Sequence, residues 1–469
     1  MKNADKLRGN IKTLDNLFDY VTTGPQGGTS RAARYANNVK SFVSMGKLGS
    51  AVIKAGFTDI GTSAANMRHA TGMGFMESHV KAMSNTITSL PSAKRKAVTE
   101  HLQVYFNSAL GDHHARIMNG DKLGGRMGQA QDTFFKLNGM TLQTDAQKTG
   151  TQTMFSSILA DSLNKGLDNV DPSYKITLER YGFNDHDFAQ LKKGVADVEG
   201  VSMISQKQLD EAVLTPPKGM TSDEYKLDLQ MKVGSYLMDN TNIESPTPGI
   251  KQQNMFSNGV NRDSAAGIAL NMISQFKTFV MKMYDVVERQ ALSDPNTNAT
   301  SLGEVLRHPV TNKGAAGRVA STALTLTAFG MLGMQLTELA KGKTIKPLDQ
   351  PGTYVDAFVV GGAAGLFGDI VFGEYNKRYR NFAGDMVGPT GSAASDVAEV
   401  WAGLIRGEAK AAGVFSKMVN NVPFNNLILL RTGLDVLFLN NMKESLSPGY
   451  LKRRNATLAE EGQRYFTGD

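Results

Sequence analysis

The chain has 469 residues, a formal net charge of +7 and no cysteine. Its length accommodates two or three domains with cores of their own, and the absent thiols exclude disulfides, thiol catalysis and cysteine-ligated zinc. Charged residues make up 20% of the chain and the mean hydropathy is −0.26, which fits neither a disordered chain nor a polytopic membrane protein.

The positive charge is concentrated early. Residues 1–54 hold nine Lys/Arg against three Asp, a local net charge of +6. A basic end predicts either a polyanionic neighbour (nucleic acid, anionic lipid or an acidic protein) or a solvated surface. Met1-Lys2 is followed by a charged, helix-like run, so no secretory signal is expected there.

Most of the sequence reads as helices broken by glycine. Leu7, Ile11, Leu14, Leu17 and Phe18 fall at helical spacing. A loop at residues 24–28 precedes Ser30, a candidate cap for a helix carrying Tyr35, Val39, Phe42 and Val43. A helix after Ser92 carries Val98, Leu102, Tyr105 and Phe106, and residues 111–128 read as a loop or helix hairpin. Helices from Thr133 to Gln190 break near Asn138-Gly139 and Asp171-Pro172. Residues 198–222, with Pro216-Pro217, read as a hinge or linker, and residues 246–249 as a second break. Ala265 to Leu292 reads as one long amphipathic run. The pattern contains no run of alternating strands. The expected fold class is all-α: an elongated multi-helix assembly with Gly-rich hinges and no significant β-sheet.

The search for chemistry ends in exclusions. His113-His114 are adjacent, so on a helix they point about 100° apart and do not converge on a metal. Glu77-Ser78 and residues 333–336 resemble fragments of the lytic transglycosylase signature, but they stand too far apart in the chain to form it. Residues 361–368 are glycine-rich yet match neither dinucleotide nor P-loop spacing, and Asp369 follows where a lysine would be needed. No catalytic, cofactor or metal residues are assigned, and no enzymatic activity is expected.

The least ordinary segment runs from Arg318 to Glu374. Val319 to Thr337 is free of charge over a length that suits a bilayer-spanning helix. It also carries four threonines, a serine, a glutamine and two glycines, which suits a buried helix of a soluble protein. Both readings stand at this point. The candidate membrane residues are Val319, Leu324, Leu326, Phe329, Met331, Leu332 and Leu336. Ala357 to Gly368 is too short to span alone. Phe424 to Asn440, interrupted by Arg431 and Asp435, suits an amphipathic or interface helix. Lys94, Arg95, Lys96, Lys452, Arg453 and Arg454 are candidate contacts for DNA or another polyanion.

Residues 361–375, followed by Gly388-Pro389, resemble a block in the large internal virion proteins of tailed bacteriophages. Residues 426–435 and 446–454 resemble the usual ending of those proteins. Earlier blocks agree, in the family's order: residues 47–52, 137–140 with Thr144-Asp145, 179–182 and 275–279. Many members are far longer and begin with a lytic transglycosylase or other enzyme domain. This chain resembles only the C-terminal module, so no catalytic residue carries over.

The resemblance implies a protein packed in the phage head and ejected with the genome, helping form a conduit for DNA across the host envelope. An alternative is a structural core component of the virion interior that never contacts membrane; a cell-wall enzyme is a third. Implied partners are other ejection proteins, further copies in a cyclic homo-oligomer, phage DNA bound without sequence preference, and the host inner membrane. Implied locations are the virion interior and then the host periplasm or inner membrane. The apolar segment becomes one with two states, packed within protein in the virion and at or in a membrane after release. Gly361, Gly362, Gly365, Gly368, Gly373, Gly388 and Pro389 then read as packing and hinge positions. The expected regions are a basic helical part (1–90), a helical domain (91–215), a long amphipathic part (216–310), the weakly apolar Gly-rich part (311–400) and a helical end (401–469).

Overall fold

A computed structural model describes residues 14, 18, 30–49, 51–102, 125–249, 251–252, 260–261, 263–274, 277–362 and 427–466. The described chain is mainly helical. It opens with α1 (Arg31–Lys47), α2 (Ala51–Thr71), α3 (Phe75–Thr88), α4 (Ser92–His101), α5 (Gly125–Leu137) and α6 (Met140–Leu163). Next come α7 (Pro172–Arg180), α8 (Asp185–Leu191), the strands β1 (Val195–Val198) and β2 (Val201–Ile204), α9 (Gln206–Glu211) and α10 (Ser222–Glu244). Helices α11 (Ala265–Ile273), α12 (Lys277–Leu292) and α13 (Leu302–Arg307) precede α14 (Lys313–Ala340) and α15 (Pro351–Val360). After Leu427 follow α16 (Ile428–Leu434), a π-helical turn (Asp435–Leu439), α17 (Asn440–Leu446) and α18 (Tyr450–Glu460).

Local chemistry explains many of the boundaries. The Ser30 hydroxyl accepts from the Ala33 amide and starts α1. Gly139 adopts φ 81°, the left-handed conformation that separates α5 from α6. Asp171 caps α7 and Pro172 occupies its first turn, where a missing N–H costs nothing. Thr221 and Glu224 cap α10 reciprocally.

Three features depart from the pattern reading. Val195 to Ile204 is an antiparallel hairpin turned by Glu199 (φ 52°) and Gly200 (φ 79°), with the Gly200 amide donating to Asp197. Two left-handed residues make the turn that favours two-residue hairpins, so the turn and β2 of a strand pair fall in the expected linker, with β1 leading into it. The expected continuous run from Ala265 to Leu292 is described as two helices, α11 and α12. On α1, Tyr35 and Phe42 are exposed while Lys40 and Ser41 are buried, the reverse of what their hydropathy predicts. Lys40 donates to Asn271 at 2.7 Å and Ser41 to Gln131 at 3.0 Å, so each buried polar group has a partner.

One large core draws on four of the five expected regions, through Ala64 and Met67, Phe155 and Leu159, Tyr236 and Leu237, and Phe329. The expected boundaries therefore do not separate independent cores. At its centre the Tyr236 ring packs edge-on against Phe155 at 5.6 Å, Tyr181 at 5.5 Å and Phe183 at 6.2 Å. Its hydroxyl lies 3.0 Å from that of Tyr174. Helix α6 lies inside, against α2, α3, α4, α5, α10 and β2. Gln147, Lys148, Thr149, Thr151, Gln152 and Thr153 of α6 are all buried. The hydroxyls of Thr149, Thr151 and Thr153 donate to carbonyls one turn earlier, which lets a polar helix enter a dry core.

Phe155→Ala empties the aromatic centre. It is expected to cost about 3–5 kcal/mol, measured as a fall in the denaturant midpoint of the full chain at unchanged slope. A cost below about 1 kcal/mol would show that this cluster does not hold the core.

Candidate functional site

Among the described residues, α14 is the one helix long and apolar enough to cross a membrane. Its place in the bundle gives it two unlike faces. The inner face presents Thr322, Thr325, Leu326, Phe329, Gly330, Gly333, Met334 and Thr337, all buried. The outer face presents Leu324, Leu332, Leu336 and Leu339, which are 70%, 45%, 41% and 39% exposed. The inner face mixes threonine and glycine with Leu326, Phe329 and Met334, and the outer face keeps four of the helix's five leucines.

The inner face is small because two backbones press on it. Where α14 crosses α2, a Cβ on Gly61 would lie 3.1 Å from Phe329, and one on Gly333 would lie 3.2 Å from Phe57. Each helix offers a glycine to the other's phenylalanine. Where α14 meets α15, a Cβ on Gly330 would lie 2.1 Å from the Ala357 carbonyl oxygen, and one on Gly361 would lie 1.9 Å from that of Leu326. That is backbone on backbone, a spacing only glycine permits.

The threonines that made this segment look too polar for a bilayer are satisfied locally. Thr327 donates to Ala323 and Thr337 to Gly333, each one turn back. Thr322 donates to Gln290, and the Thr325 hydroxyl lies 3.3 Å from His79 Nε2. At the start of the helix Arg318 binds the His69 carbonyl at 2.9 Å and the hydroxyls of Ser293 and Ser173, each at 2.7 Å. One guanidinium thus ties α14 to the ends of α2, α12 and α7. His69 is buried there, and burial, with Arg318 and Arg68 nearby, lowers its imidazole to about 3, so it stays neutral at physiological pH. At the other end Glu338 pairs with Lys341 at 3.0 Å and Lys343 at 3.4 Å.

The candidate membrane residues divide between the faces. Leu326 and Phe329 are buried, Val319 and Met331 are half-buried, and Leu324, Leu332 and Leu336 face outward. Among the candidate glycines, Gly361 sits at the α14–α15 contact and Gly362 adopts φ 79°. Gly365, Gly368, Gly373, Gly388 and Pro389 lie outside the described residues, as do His113 and His114.

Arg95 donates to the carbonyls of Ser89 and Leu90 and so closes the end of α3. Arg453 donates to Ser447 Oγ at 2.7 Å and the Pro448 carbonyl at 3.0 Å. The guanidinium carbon of Arg454 lies 4.1 Å from the Tyr465 ring centroid. Lys94 is half-buried, and Lys96 and Lys452 are exposed. The arginines of both clusters thus also make contacts within the fold.

Two features escaped the sequence reading. An exposed stripe on α3 runs Met76, Val80, Met83 and Ile87, and continues to Leu90 just beyond the helix. Its alternating spacing of four and three is that of a coiled-coil seam, over about two heptads, and the signal was present in the sequence. The second is Glu244, buried at the end of α10, for which the sequence carries no local signal. Among the described residues, no group of His, Asp and Glu is placed to hold a metal ion. Comparison of the chain with protein-family models, curated proteins and solved structures finds no match in any of the three.

Gly330→Ala and Gly361→Ala force backbone apart from backbone. Each is expected to lower stability by about 1–3 kcal/mol. Gly317→Ala on the same helix, with nothing within 4 Å of the added carbon, is expected to gain about 0.5–1 kcal/mol. Thermal unfolding of the three variants checks the contrast.

Proposed function

We propose that this chain is an internal virion protein of a tailed bacteriophage, ejected with the genome, that helps form a conduit for DNA across the host cell envelope. The observation that carries the membrane part is the outer face of α14. It is apolar and outward-facing on a helix without a charge from Val319 to Thr337. Four of the helix's five leucines lie together on that outward face, and only Leu326 packs inside. The ordered sequence blocks support the virion part. In this reading α14 meets the host inner membrane through its leucines, while its glycine and threonine face stays against α2 and α15. The chain works without enzymatic activity, alongside other ejection proteins and further copies of itself around an axis. It binds phage DNA through charge alone, and it moves from the virion interior to the periplasm or inner membrane.

A second reading is a structural core component that stays in the virion and contacts only protein. The observation that favours it is the coiled-coil seam on α3, which suits a helical protein partner better than lipid. The two readings differ in where the protein resides after infection. Ejection requires that it leave the emptied particle, and a core component stays.

The membrane contact is tested by flotation with vesicles containing anionic lipid. The full chain is expected to float, and the triple variant Leu324→Gln, Leu332→Gln, Leu336→Gln to lose most of that binding. Each leucine withdrawn from an apolar phase costs about 1.5–3 kcal/mol. The three side chains are outward-facing, so the variant's melting temperature is expected to stay close to that of the original chain. Equal flotation of both proteins would remove this face from the mechanism.

A further inference from the structure

Glu244 ends α10 and is fully buried. One carboxylate oxygen accepts from Ser63 Oγ of α2 at 2.7 Å and from Thr151 Oγ1 of α6 at 2.6 Å. The other lies 3.4 Å from Asn66 Nδ2 of α2, which also donates to Asn240 Oδ1, one turn earlier on α10, at 3.0 Å. Every donor is neutral. Among the described residues, no cation pairs with this carboxylate.

A buried carboxylate without a cation is costly, because neutral hydrogen bonds replace only part of its hydration. Hydroxyls can donate to a carboxylate or accept from a carboxylic acid. Ser63 and Thr151 therefore satisfy Glu244 in either protonation state. The two states differ in energy rather than in which groups touch.

The location gives that difference leverage. Glu244 joins α10, α6 and α2 at one point, and α2 in turn holds α14 through Gly61 and Phe57. We infer that Glu244 is a proton-operated latch: protonated, it keeps α2, α6 and α10 closed on one another; ionised, it loosens that junction and with it the seat of α14.

Burial pushes the Glu244 carboxyl up from 4.5 to about 7, against the opposing pull of the Thr151, Ser63 and Asn66 hydrogen bonds. The folded value lies above the unfolded one. Stability from the latch is therefore full below about 4.5 and is lost as pH rises to about 7. Neighbouring groups on all three helices have to be distinguished from it. Tyr236 of α10 couples to Glu244, but burial holds its phenol well above its usual value, so it stays neutral. His69 of α2, lowered to about 3, is neutral throughout this range. Asp59 of α2 and Lys148 of α6 are the buried charged residues one turn from Ser63 and Thr151. Asp145, earlier on α6, is also raised by burial, against the pull of Arg95 and Lys148, so a substitution at Glu244 itself has to make the assignment.

The test is hydrogen exchange of the full chain from about pH 5.5 to about pH 8.5, corrected for the intrinsic rate. Peptides from α2, α14 and the end of α10 are expected to lose about ten-fold or more of their protection across that range. Glu244→Gln, which keeps the shape without the charge, is expected to retain it. The same loss in Glu244→Gln, or no loss in the original chain, overturns the latch. Thr151→Val gives a second reading if Glu244→Gln does not fold. Removing a donor that favours the ionised form is expected to move the midpoint to higher pH, and an unmoved midpoint contradicts the proposal.

Discussion

The crossing of α2 and α14 is the contact on which the rest of the structure depends. Gly61 receives Phe329 and Gly333 receives Phe57, so each phenylalanine packs over a glycine of the facing helix and the two long helices lie close. This geometry decides which face of α14 is turned inward. Glycine and threonine sit in the seam beside Leu326, Phe329 and Met334, and Leu324, Leu332, Leu336 and Leu339 are left on the other side. Through Phe329, α14 also joins the main core. Through Gly330 and Gly361 it then seats α15. Dispersion contacts at such crossings are individually small and collectively large.

The same economy of size runs through the interior. Helix α6 buries a run of threonine and glutamine side chains, and the junction at Glu244 is built from Ser63, Asn66, Thr151 and Asn240. Hydrogen bonding fixes which groups must meet in such a core, more than shape alone does. It also leaves less free energy from apolar burial than a leucine-rich core of the same size. The bundle keeps this polar layer beside its apolar core and carries apolar stripes on α3 and α14 outside. Its outer leucines gain from an apolar partner, while its inner polar groups lose little when rearranged near water. That physical asymmetry agrees with the proposed transfer from a virion to an envelope.

Much of the helical framework was legible from local signals. Ser30, Gly139 and the Asp171-Pro172 pair mark boundaries where they were expected, because capping and left-handed turns act over three or four residues. The long helix over Val319 to Thr337 followed from its lack of charge. Its inner and outer faces did not, because the segment is weakly apolar all round and its burial depends on Gly61 and Phe57, which lie far away in sequence. Tyr35 and Phe42 are apolar and exposed, while α1 buries Lys40 and Ser41 against partners on α11 and α5. The Val195–Ile204 hairpin is too short to register as an alternating run, although its Glu-Gly turn was in view. Glu244 could not be singled out at all, because its surroundings come from three helices. The seam on α3 was readable and was passed over, since helical spacing by itself does not say whether a stripe faces the core or the solvent.

The most direct measurement uses the absence of native cysteine. Single cysteines replacing Leu324 and Leu332 on the outer face of α14, and Lys96 as an exposed reference, are labelled with an environment-sensitive fluorophore and mixed with anionic vesicles. If the outer face is the membrane contact, emission from positions 324 and 332 shifts to the blue and is shielded from an aqueous quencher, while position 96 stays accessible. Labels at 324 and 332 that remain fully quenched by the aqueous reagent while the protein is vesicle-bound would contradict it.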